Sequence, residues 1–135
     1  MKGAIFGFTV ADALGVPYEF STRSERKRAP VTGMSGGGYW GQPPGTWSDD
    51  SSMVFCTMES LCLGYDVDDM GRRFHRWCYE HYWTPHGEVF DVGGQTRNAL
   101  ERIEAIISYG EQITPMPPSM GKVRENGNGS LMRIL

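Results

Sequence analysis

Apolar residues return at helical intervals in several stretches of this chain. Over residues 3–14, Ile5, Phe8, Ala11 and Leu14 recur every third position, with Gly3, Gly7 and Ala11 four apart. That spacing predicts a helix whose small residues let a second helix approach closely. Gly15 and Pro17 then stop it. A second helix is expected from about Asp49, carrying Met53, Val54, Met58, Leu61 and Cys62. A third, from Asp68 to His81, carries Met70, Phe74, Trp77, Cys78 and His81. A fourth follows Gly93-Gly94 and carries Thr96, Ala99, Leu100, Ile103, Ile106 and Ile107. Stripes of Met and aromatic residues at this spacing are core-facing rather than a cofactor pocket.

Between these stretches the pattern breaks. Residues 21–47 read as loop: a charged stretch, then Gly33, Gly36, Gly37, Gly38, Gly41, Pro43, Pro44 and Gly45. Thr114-Pro115-Met116-Pro117-Pro118 cannot continue a helix and reads as a connector. The last residues, Ser130-Leu131-Met132-Arg133-Ile134-Leu135, start another helix-compatible apolar run without a polar cap or stop signal. The expectation is a sequence cut within a helix. With no repeat and no strand alternation, the fold class expected is all-α.

Length and charge narrow the classes. At 135 residues the chain has room for a single domain, 1–135, and 39% hydrophobic residues can build its core. Thirteen basic against 16 acidic residues give a formal charge of -3, which argues against nucleic acid as a partner. The basic run from Arg23 to Arg28 is interrupted by Ser24 and Glu25 and reads as a solvated loop. No apolar run reaches the roughly 18–20 residues that span a bilayer, so no membrane association is expected. A secretory leader is rejected, because Lys2 stands alone, two glycines interrupt the apolar run, and Asp12 sits inside the only cleavage-like triplet. Cys56, Cys62 and Cys78 cannot all pair and form no Cys-x-x-Cys; they read as buried thiols in a reducing, cytoplasmic compartment. Their spacing with His75 or His81 matches no standard zinc set.

The candidate chemistry lies in carboxylates. In Gly45-Thr46-Trp47-Ser48-Asp49-Asp50-Ser51-Ser52-Met53 a hydroxyl and two adjacent acids stand where loop gives way to helix. Ser48 is a good N-cap, and acids in the first turn complement the helix dipole. The same side chains are hard oxygen donors suited to Mg²⁺ or Mn²⁺. Asp12 lies near the end of an apolar helix, where an acid is costly unless paired, bound or hydrogen-bonded. Glu19 sits between aromatics in Pro17-Tyr18-Glu19-Phe20, and Asp91 precedes glycines in Phe90-Asp91-Val92-Gly93-Gly94. Asn126-Gly127-Asn128-Gly129-Ser130 opens the last helical run; it is a flexible turn or, with backbone N–H groups exposed, a phosphate or pyrophosphate site. The glycines of 33–45 lack the Gly-Lys-Ser/Thr ending of a nucleotide P-loop.

The runs GAIFGFTVADALGVPYEF, GTWSDDSSM, WTPHGEVFDVGGQT and NGNGSLMRI, in that order, resemble the ADP-ribosylglycohydrolases, the dinitrogenase-reductase-activating glycohydrolase group. The resemblance covers nearly the whole chain and implies an all-helical fold of which this is the N-terminal portion. It implies two divalent metals, Mg²⁺ or Mn²⁺, and hydrolysis of the bond joining ADP-ribose to a protein side chain or a small-molecule acceptor. Carried over by position, it makes Ser48, Asp49 and Asp50 metal ligands and Glu19 a mobile acid beside the site. Asp91 becomes an acid near the scissile bond. Gly127, Asn128, Gly129 and Ser130 become the loop holding ribose and diphosphate. Ala11 stands where the family usually has Gly, and Ser51 where Thr is common. The family's second metal-binding cluster, an Asp-x-Asp-Thr/Ser type motif far downstream, has no counterpart in these 135 residues. The expectation is therefore a partial site. The alternatives are a non-catalytic ADP-ribose-binding module or an inactive fragment. A purely structural role gains nothing from unpaired neighbouring carboxylates.

Overall fold

The structure, a computed structural model, describes residues 2–115. Its elements are α1 (Lys2–Gly15), a 3-10 turn (Val16–Tyr18), α2 (Arg23–Arg28), α3 (Asp49–Leu63), α4 (Val67–Glu80) and α5 (Gly94–Ser108). Among the described residues the only β-type pairing is an isolated antiparallel bridge between Gly37 and Gln42. The chain is all-α. Gly127, Asn128, Gly129 and Ser130, the last apolar run, and the connector beyond Pro115 lie outside the described residues.

Helix α3 is the centre, packed against α1 on one side and α4 on the other, with α5 against α4. Its buried face is not the expected stripe. Met53, Val54 and Cys56 are buried, but so are Ser51, Ser52, Thr57 and Ser60, while Leu61 and Cys62 are exposed. Small hydroxyl residues make this possible by turning back onto their own helix. Ser52 Oγ–H donates to the Ser48 carbonyl (3.0 Å) and Thr57 Oγ1–H to that of Met53 (2.9 Å), so these two hydroxyls are satisfied within α3 and neighbouring helices come close. The expectation of three buried thiols is corrected at Cys62, which lies on the solvent side of α3.

The main apolar cluster joins Met53 and Cys56 of α3, Trp77 of α4 and Leu100 of α5, flanked by Phe74, Cys78, Tyr82, Val89 and Val92. Burial and the nearby Glu59 charge push the Cys56 thiol up to about 12, so it stays protonated. Polar contacts fix the helix pairs. Arg73 bridges α4 to α3 through Glu59 (2.6 Å) while its own-helix partner is Asp69 (2.7 Å). His75 pairs with Glu104 between α4 and α5. Asp66 caps α4 by accepting from the N–H groups of Asp68 and Asp69, and His81 closes it in the left-handed region.

One helix was not anticipated. Arg23–Arg28, read from sequence as solvated loop, forms α2. It begins with a reciprocal cap: Glu25 N–H donates to Thr22 Oγ1 (3.3 Å) and Thr22 N–H to Glu25 Oε2 (2.7 Å). None of its residues is buried, so the solvated character stands while the conformation does not. No described helix is long and apolar enough to cross a membrane.

Candidate active site

The N-terminus of α3 is held by an acid from α1. Asp12 Oδ1 accepts the Ser48 hydroxyl (2.7 Å), and Oδ2 accepts the backbone N–H groups of Ser48 (3.0 Å) and Ser51 (3.1 Å) and the Ser51 hydroxyl. The costly apolar-helix carboxylate is thus a hydrogen-bonded strut. Ser48 does cap α3: Asp50 N–H donates to its Oγ (3.2 Å). With one lone pair on that N–H and its proton on Asp12, the hydroxyl keeps a second lone pair.

Asp49 and Asp50 follow in the first turn. Asp50, Asp12 and Glu19 line an open groove of about 440 Å³, walled by Phe8, Val16 and Tyr18 among others. Asp49 is buried beneath it. Burial, then the charges of Asp50, Asp91, Asp12 and Glu19, push the Asp49 carboxyl up to about 8. Asp50 is raised by burial first and then by Asp12 and Glu19. Asp91 is pushed up to about 7 by burial, then by a hydrogen bond with Glu19, then by the charges of Glu19, Asp50 and Asp12. Two carboxyl groups bond to each other only by sharing a proton, so the Asp91–Glu19 pair holds one above the ordinary carboxylate range. Asp91 itself sits at φ 59°, a left-handed conformation that Asp tolerates better than most residues.

Acids from distant parts of the chain, Asp12, Glu19, Asp49, Asp50 and Asp91, therefore act on one another electrostatically. Among the described residues none of them takes part in an ion pair. An all-oxygen, like-charged donor set fits a hard divalent cation in chemistry. It does not complete one: among the described residues no three His, Cys, Asp or Glu side chains stand in a metal-holding arrangement.

Several neighbours of the site were not singled out from sequence. Thr46 is buried; its hydroxyl donates to the Pro43 carbonyl (2.8 Å) and pairs with His86 Nε2 (2.9 Å). With the hydroxyl proton on Pro43, His86 Nε2–H must be the donor. This pair ties the loop before Ser48 to the segment before Asp91. Trp40 Nε1–H donates to Glu19 Oε2. Each contact joins residues far apart in sequence, and neither has a local spacing signal.

The family model described as ADP-ribosylglycohydrolase matches residues 1–135. An ADP-ribosylarginine hydrolase of Serratia proteamaculans is 37% identical over 103 residues, 75% of this chain and 27% of the relative. One of Pseudomonas putida is 35% identical, covering 98% of this chain and 34% of the relative. The ADP-ribosyl-[dinitrogen reductase] glycohydrolase of Rhodospirillum rubrum is 32% identical over 98% of this chain and 42% of the relative. A solved structure titled an ADP-ribosylglycohydrolase-related protein complex superposes with a TM-score of 0.67 at 34% identity, covering 98% of this chain and 39% of that one. The chain spans about a quarter to two fifths of the length of the curated relatives it matches.

Proposed function

Because the chain belongs to the ADP-ribosylglycohydrolase family, we propose that it contributes part of a site that hydrolyses the glycosidic bond between ADP-ribose and a protein side chain or a small-molecule acceptor. The observation that carries this reading is the convergence of Asp12, Glu19 and Asp50, from three separate segments, on one open groove whose described lining holds no basic side chain.

Ser48, Asp49 and Asp50 would hold Mg²⁺ or Mn²⁺, which supplies Lewis-acid polarisation of ribose oxygens and of water when bound. A Mg²⁺ site takes about six oxygens and a paired site more. These residues are too few, so the remaining ligands come from outside them. We accordingly take residues 1–135 as one incomplete domain of the family. Its match to relatives several times longer supports this.

Proton handling falls to Asp91 and Glu19. Asp91, its carboxyl pushed up to about 7 by burial and by its bond to Glu19, is the group that would give a proton to the departing acceptor. Glu19, which accepts the Trp40 indole N–H, balances positive charge developing at the anomeric carbon. Gly127, Asn128, Gly129 and Ser130 would bind ribose and diphosphate through backbone N–H groups. The free thiols suit a cytoplasmic setting.

The test is release of ADP-ribose from an ADP-ribosylarginine protein by the full-length protein that supplies the remaining ligands, with Mg²⁺ or Mn²⁺, with and without chelator. Chelator-sensitive release supports the reading. ADP-ribose binding that ignores chelator, without release, replaces it with a non-catalytic binding module.

A further inference from the structure

We propose that Trp40 is the positioning residue that holds Glu19 against Asp91, delivered there by the glycine turn 38–41. The proposal rests on the reading of Glu19 and Asp91 as the proton-handling pair.

Trp40 touches both acid-bearing segments. Its indole N–H donates to Glu19, 21 residues earlier in the chain. Its ring packs on Phe90, adjacent to Asp91 (centroids 5.7 Å apart), and meets Phe20, adjacent to Glu19, edge-on at 6.3 Å. Tyr39 completes the group against Phe20 (4.8 Å) and Trp40 (4.9 Å). Phe20 is 74% and Tyr39 69% exposed. Rings so exposed contribute little core burial, so burial alone does not account for their assembly. A neutral indole donor suits the task, since it orients one carboxylate oxygen without adding charge to an already crowded cluster.

The turn is built for this contact. Gly37 N–H donates to the Gln42 carbonyl (2.8 Å) and Gly41 N–H to that of Gly38 (3.4 Å), placing Tyr39 and Trp40 at the tip. Gly38 lies at φ +71°, and a Cβ there would stand 2.1 Å from the Pro17 carbonyl oxygen. Only glycine lets the turn rest on the 3-10 segment that leads into Glu19. Tyr18 and Ser35 join their hydroxyls at 2.7 Å and fasten the other side of the loop.

Trp40→Phe keeps the ring and deletes the N–H. In the full-length protein it is expected to lower kcat roughly ten- to hundredfold, the cost of a hydrogen bond to a charged group, with KM nearly unchanged. In a Glu19→Gln background the same change should have no further effect. Equal losses in both backgrounds, or a loss confined to KM, would overturn the proposal. A second readout needs neither turnover nor a change at Trp40. In ¹H–¹⁵N spectra, Glu19→Gln should move the Trp40 indole N–H resonance and the Asp91 backbone amide. If either stays in place, Trp40 does not hold this pair. A full-length protein, with the remaining metal ligands present, that releases no ADP-ribose defeats the functional reading, and the spectra then decide the Trp40 contact by themselves.

Discussion

Asp12 Oδ1 accepts the Ser48 hydroxyl at 2.7 Å, tying the last turns of α1 to the first residue of the α3 cap. The other Asp12 oxygen takes two backbone N–H groups of the same α3 terminus. This single carboxylate therefore satisfies donors that a helix start leaves without intrahelical partners. It also sets the orientation of Asp49 and Asp50, whose placement depends on where α3 begins.

Asp12→Ala is expected to destabilise the protein by about 2–4 kcal/mol, because it strands buried donors as well as removing bonds to a charge. Ser48→Ala, which removes the cap and one of those bonds, should cost about 1–2 kcal/mol. Urea denaturation of each variant checks both. A loss for Asp12→Ala no larger than that for Ser48→Ala would contradict the strut.

The crowded acids set the pH dependence of the metal-free protein. Asp49 and Asp91 have folded-state pKa values raised to about 8 and about 7. Between the ordinary carboxylate pKa and these values, the folded protein binds more protons than the unfolded chain, so stability falls as pH rises. In chelator, the urea midpoint should decline from about pH 4 to pH 8. Asp49→Asn should flatten that decline, and so should Mg²⁺, through binding to the folded state. A midpoint that rises across this window would contradict the burial of Asp49 among like charges.

The contact between Gly71 of α4 and Ile113 offers a packing test. A Cβ at Gly71 would stand 2.7 Å from Ile113 Cδ1 and 3.2 Å from its Cγ2. Gly71→Ala should cost about 1–3 kcal/mol through overpacking. Adding Ile113→Val removes the nearer atom and should recover part of the loss. If the double variant is no more stable than Gly71→Ala, the two do not meet as described.

Periodicity was enough to find α1, α3, α4 and α5, since each carries apolar residues at helical spacing. It misread the inward face of α3, where Ser52 and Thr57 are buried with their hydroxyls on their own backbone and Ser51 with its hydroxyl on Asp12; hydrophobic pattern has no sign for that. The start of α2 did carry a local sign in Thr22-Arg23-Ser24-Glu25, with Thr22 and Glu25 three apart, but the surrounding charges masked it. Asp12, Glu19, Asp49, Asp50 and Asp91 all stood out as acids in apolar or glycine-rich settings. Which of them meet was not legible, because the contacts of Asp12 with Ser48, Trp40 with Glu19, and Thr46 with His86 span 36, 21 and 40 residues. Only the fold brings such partners together.

The most direct measurement is the rate of ADP-ribose release by the full-length protein carrying Asp50→Asn, at saturating Mg²⁺, beside the wild type. Asp50 lines the groove, its pKa is raised by burial and then by its acidic neighbours, and it belongs to the ligand set proposed for the cation. The account predicts that metal-dependent turnover is abolished while the fold is kept. Undiminished turnover would remove Asp50 from the site and contradict the proposed use of the acid cluster.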